Sequence, residues 1–204
     1  MSLLSLEHSV VVYRLDFALY ALLCMGTATV LLSASPVGSG AVLLLWVAGG
    51  VALWSLLEYL LHRFVLHGVA PFSRWHGQHH VRPQALIASP IALSLSLFLL
   101  LGALPAWWLL GTWPATALTL GLLTSYLVYG LTHHATHHKT VPWIRHNAWI
   151  SRCRVRHAMH HATHHIQARG EICKPCHFGV SNSFWDTVFG TDTMMVRRAE
   201  RQDQ

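Results

Sequence analysis

Four stretches of this chain run for about 20 residues each with almost no charge, and that decides what it can fold into. They are residues 17–33, 41–61, 86–110 and 113–131, with a single acid, Glu58, near the end of the second. A helix needs about 17–25 apolar residues to cross a bilayer, so each stretch is long enough to span. The turn-like SASPVGSG separates the first two and GTWP the last two. Pro90 is expected in the first turn of the third helix and Pro105 at a late kink or break. Only 11% of the 204 residues are charged, against about 25% in an ordinary soluble domain. The expected fold is an all-α integral membrane protein. It has four transmembrane helices and a histidine-rich helical cap over residues 132–192, with residues 1–204 forming one domain.

The basic residues orient it. All 14 Lys and Arg lie before the first span, between the second and third, or after the fourth. Those segments share one side of the membrane, and the positive-inside rule makes it the cytoplasmic side, termini included. The net charge of +6 then belongs to juxtamembrane segments facing anionic headgroups. No nucleic-acid-binding motif accompanies it, and none is expected as a partner. The first residues, MSLLSLEHSV, lack the basic start of a secretory signal.

Sixteen of the 17 histidines fall between residues 62 and 177, all on that one side. EYLLHRFVLH, at the exit of the second span, has an HxxxxH spacing. HGQHH, before the third span, is HxxHH; YGLTHHATHH, at the exit of the fourth, contains HxxxH. RHAMHHATHH holds five histidines in ten residues. On a helix, positions 157, 160, 161 and 164 form one stripe. That period is ordinarily apolar core; here it is imidazole, the commonest metal ligand.

One HxxHH can be a polar helix face, but four groups converging on one membrane face are harder to explain that way. Burying imidazoles without partners costs on the order of 1–3 kcal/mol each, whereas coordination removes that cost. A structural zinc site closes with four ligands, and about ten candidates suffice for two ions. No Asp or Glu lies between Glu58 and Glu171, so the charge of two cations must be offset by bound oxygen species or by Glu58 itself. An oxygen-activating di-iron centre beside the bilayer fits these facts. A metal transporter or storage protein is the alternative from another class, but transporters place ion ligands near the midplane, where this chain has no histidine.

These motifs, with FGVSNSFWDTVFGT at 178–191, resemble the fatty acid hydroxylase superfamily, also called the sterol desaturase family, over about residues 55–192. The resemblance implies a membrane-embedded, histidine-ligated dimetal oxygenase that oxidises a lipid acyl or related chain with dioxygen and two electrons. Hydroxylation is expected over desaturation, with a carotenoid hydroxylase on the same scaffold as a neighbour. Carried over by motif, the ligands are His62, His67, His76, His79, His80, His133, His137, His157, His160 and His161. His134, His138, His164 and His165 offer frame-shifted sets of the same spacing. The implied cofactor is two irons, with zinc able to replace iron on overexpression. The implied substrate is a membrane lipid. No segment resembles a cytochrome b5 domain, so a separate electron donor of cytochrome b5 or ferredoxin type is expected. The chain departs from the family at HFG, where NFG is usual, and in a longer run before it.

Glu58 lies one helical turn before His62, and a carboxylate in a span calls for a partner. It is expected to accept a hydrogen bond from a ligand imidazole, in the second shell of the centre; pairing with Arg63 is the plainer alternative. CKPCH at 173–177 fits a haem-attachment pattern but falls on the cytoplasmic side, so reduced structural thiols are expected. Cys24 reads as packing, the aromatics Phe184, Trp185 and Phe189 as a cap, and Asp186 as a structural partner.

Overall fold

The computed structural model describes residues 7–168, 172–193 and 196–197. It is helical, and four of its helical stretches are long and apolar enough to cross a membrane: Val10–Ala34, Gly40–Leu66, Ile91–Leu110 and Thr112–His137. The chain divides into two compact units. One holds residues 1–56 and 85–131, the other residues 57–84 and 132–204.

The first unit is built from helix α1 (Val10–Ala34), most of α2 (Gly40–Leu60), α4 (Ile91–Leu97), a π-helical turn (Phe98–Ala103), α5 (Leu104–Leu110) and most of α6 (Thr112–His137). Helix α1 begins seven residues earlier than hydropathy suggests, because Ser9 caps it by accepting the Val12 N–H. The third span begins at Ile91 rather than residue 86, with Pro90 as its N-cap. Pro105 does not break it: a π turn precedes the proline and the helix resumes in α5. Inside the unit, Tyr20, Trp54, Phe98 and Tyr126 pack ring against ring, and the Tyr20 hydroxyl donates to Ser94 at 2.7 Å. Helices α2 and α6 touch at Gly50 and Gly121, where a Cβ on either would overlap backbone of the other helix. Such close approach of small residues is how helices associate where lipid gives them no hydrophobic drive. Large apolar side chains such as Leu32, Leu45 and Trp108 point outward. Water would penalise that surface, but acyl chains do not.

The second unit starts in the last turns of α2, which open into a π turn at Leu61–Leu66. Helix α3 (Phe72–Val81) follows. The fourth span runs on to His137, six residues past its expected end, so the last turn and a half of α6 belongs here too. After the short α7 (Pro142–Arg145) comes α8 (Ala148–Ala168), capped by the Asn147 side chain, which accepts from the Trp149 and Ile150 N–H groups. A two-residue antiparallel ladder joins β1 (Ile172–Cys173) to β2 (Val196–Arg197). Residues 174–183 are not helical as the cap was expected to be, and the short α9 (Phe184–Val188) follows them.

Candidate metal centre

Regular helix does most of the positioning. His133 and His137 are four apart on α6, and His76, His79 and His80 are three and four apart on α3, so each set shares a face. On α8 the buried stripe is Cys153, His157, His160 and His161. The HxxxxH pair is different, because residues five apart on an α-helix point about 140° from one another. A π turn bonds residue i to i+5 and stacks them. Leu61–Leu66 is such a turn, and it brings the His62 and His67 rings to 5.2 Å.

The outcome is two groups of imidazoles. His62, His67, His76, His80 and His160 each offer a ring nitrogen within 4.8 Å of the others, as do His79, His133, His137 and His157. His161 sits against both, with its Nε2 3.1 Å from that of His157 and its ring stacked on His80 at 4.2 Å. All ten histidines named by motif therefore come together. His134 and His138 stack on one another, ring centroids 4.4 Å apart, and belong to neither group. The side chains of His164 and His165 lie outside the described residues.

The hydrogen bonds of these residues suit a cation. The Nδ1–H of His62 donates to the Phe178 carbonyl at 2.5 Å and that of His160 to the Cys176 carbonyl at 2.7 Å. A carbonyl can only accept, so the protons sit on Nδ1 and both Nε2 atoms present lone pairs inward. Nε2 of His62 lies 2.9 Å from Nε2 of His76, which is 3.0 Å from that of His80; Nε2 of His160 is 3.0 Å from that of His67. One N–H on His76 cannot serve both neighbours. A cation can accept every lone pair at once, so the donor set fits a metal. In the second group, His133 lies 3.1 Å from His79 and His157 2.8 Å from His137.

Burial keeps the ligating nitrogens free of protons. It lowers the pKa of His76, His80, His157 and His160 well below the usual imidazole value and that of His79 to about 4, with neighbouring imidazoles adding to the effect. Neutral imidazole is the form that binds metal. Burial likewise pushes Cys176 up to about 11 and raises Cys153, so both stay thiols.

Glu58 is buried, yet its partner is not an imidazole. Oε1 accepts from the N–H groups of Val180 and Ser181, both at 2.7 Å, and Oε2 accepts from the Ser181 hydroxyl at 2.5 Å. Arg63 donates to the Tyr59 hydroxyl instead. The residues that accept from the ligands' Nδ1–H groups, Cys176 and Phe178, act through backbone carbonyls and leave no side-chain signature in the sequence.

A family model described as Fatty acid hydroxylase matches residues 47–191. A dihydroceramide fatty acyl 2-hydroxylase of Arabidopsis thaliana is 36% identical over 164 residues, 71% of this chain and 59% of that protein. Human fatty acid 2-hydroxylase is 31% identical over 71% of this chain and 38% of its own length. The solved structure of full-length scs7p, in which only the hydroxylase domain is visible, superposes with a TM-score of 0.69 at 25% identity, covering 89% of this chain and 66% of that one. The chain thus spans about three fifths of the plant relative and two fifths of the human one. With a family match across most of its length and its histidines gathered in two groups, this chain belongs to the fatty acid hydroxylase family.

Proposed function

We propose that this chain is a membrane-bound oxygenase that places a hydroxyl group on the acyl chain of a lipid, at the carbon next to the carbonyl. The observation that carries the reading is the pair of imidazole groups, five and four strong, in a chain whose relatives are named fatty acyl 2-hydroxylases. The balanced reaction takes R–CH2–CO–X, dioxygen, two electrons and two protons to R–CHOH–CO–X and water. Two irons, when bound, would supply the activation of dioxygen that no side chain can perform. His62, His67, His76, His80 and His160 would hold one; His79, His133, His137 and His157 would hold the other, with His161 between them. Imidazole suits iron and zinc alike, so zinc would occupy the site when iron is scarce. The protein's part is to gather ten imidazoles and aim them.

The two electrons would come from a separate donor protein docking on the side that we read as cytoplasmic from the distribution of basic residues. Lipid mass spectrometry of cells with and without the gene, grown under 18O2, tests the reading. The expected product is a lipid species heavier by one labelled oxygen, with the hydroxyl at C2. A species lighter by two hydrogens would make the chain a desaturase, and an unchanged lipid profile would overturn the proposal.

A further inference from the structure

The stretch Cys176–Ser181 meets the first histidine group with its backbone. Its carbonyls at 176 and 178 accept from His160 and His62. Four successive N–H groups of the same stretch point to carboxylates. Phe178 and Gly179 donate to Asp186, at 2.8 and 2.9 Å, while Val180 and Ser181 donate to Glu58. Thr191 adds its hydroxyl to Asp186 at 2.8 Å. Both acids are buried, Glu58 at 3% exposure and Asp186 at 0%, so these amides and hydroxyls take the place of water around their oxygens. Gly179 makes the fit possible, since a Cβ there would overlap the Asn182 carbonyl and crowd Asp186 Oδ2 at 2.8 Å. The result is a stretch of backbone pinned by its amides on two acids, with two carbonyls left to grip imidazole N–H groups.

Among the described residues, two members of the second histidine group, His79 and His157, have no such carbonyl contact at Nδ1, nor does His80 of the first. Packing and their Nε2 neighbours orient the His79 and His157 rings. A ligand whose far nitrogen is already bonded has its tautomer chosen and its basicity raised before the metal arrives.

We propose that Glu58 and Asp186 are positioning residues which, through the Cys176–Ser181 backbone, aim His62 and His160 and make the first group the tighter of two unequal metal positions. This rests on the metal-binding reading above. The acids act at one remove: each holds amides, the amides fix the carbonyls, and the carbonyls fix the rings. Loss of such outer partners costs about 10–100-fold in metal affinity, and here the loss falls on one position only.

Zinc bound to the full chain in nanodiscs, titrated with a competing chelator, separates the two positions. The wild type is expected to release zinc in two steps of one equivalent. Asp186→Asn keeps the size, but its amide group faces an N–H donor whichever way it turns. It should weaken the tighter step about 10–100-fold and leave the weaker step in place. Ser181→Ala removes one hydroxyl and should shift the same step less, keeping the test decisive if the Asn variant misfolds. Glu58→Gln retains Oε1 for both amides and lets the Ser181 hydroxyl turn to accept, so it should preserve most of the affinity that Glu58→Ala loses. One two-equivalent step in the wild type, or equal shifts of both steps in the variants, overturns this proposal while leaving the metal centre standing. A chain that binds no metal overturns both.

Discussion

Removing the metal and lowering the pH should unravel the histidine-bearing unit over a narrow window. His76, His79, His80, His157 and His160 are all held below the ordinary imidazole pKa, by burial first and by their neighbours second. In the unfolded chain each titrates near about 6.5. The folded pKa is the lower one, so between the two values the unfolded state binds more protons and stability rises with pH. The contribution is therefore complete above about pH 6.5 and is lost as pH falls towards the folded values, about 4 for His79. Between pH 7.5 and 5.5 each group that stays neutral in the fold costs on the order of 1 kcal/mol, and several together cost a sizeable share of the about 5–15 kcal/mol a domain commands. Amide hydrogen exchange in α3 and α8 of chelator-treated protein, corrected for the pH dependence of intrinsic exchange, reads this directly. Protection should fall steeply across the window, to the floor set by local fraying. Metal should move the loss to lower pH, because protons must then displace it. Protection that stays flat from pH 7.5 to 5.5 in the metal-free protein would show that these imidazoles are not held neutral by the fold.

Metal analysis of purified protein should give about two ions per chain, and His79→Ala with His80→Ala should empty both positions, since the two residues serve different groups; full loading in that double variant would remove the dimetal reading. His157→Ala and His160→Ala should each abolish the hydroxylated product, while His138→Ala, stacked on His134 outside both groups, should keep most of it. Gly121→Ala should lower the thermal midpoint by an overpacking cost of about 1–3 kcal/mol, because its Cβ would collide with Val47 backbone. Gly26→Ala in open surroundings should be neutral or slightly stabilising.

The spans could be read from composition because a bilayer imposes its demand locally, residue by residue, on any helix that crosses it. Gathering of the histidines was legible for a related reason. Few uses other than a metal account for HxxHH twice on one membrane face, and helical spacing of α3 and α8 turns those letters into a surface. Other features had no local signal. The continuation of α6 through His137 defies the fall in hydropathy after Leu131, because backbone hydrogen bonds and packing within the second unit carry the helix on. Glu58 was recognisable as a buried acid in need of a partner, but that partner is a pair of amides more than 120 residues away. Any residue has those amides, so no residue type announces them. The same holds for the carbonyls of Cys176 and Phe178.

The π turn at Leu61–Leu66 bears on how the chain tolerates insertion and deletion. Removing one residue between His62 and His67 would let the segment relax to an ordinary α-helix, with the histidines four apart and about 40° from one another. The pair itself would survive. Because both rings keep one face, the chain leaves the helix in nearly its old direction, whereas one residue removed from regular helix would turn all that follows by about 100°. A length change of that second kind scatters the ligands while sparing every one by name. The wide turn is thus where this chain can lose a residue without re-aiming the ligands on either side of it.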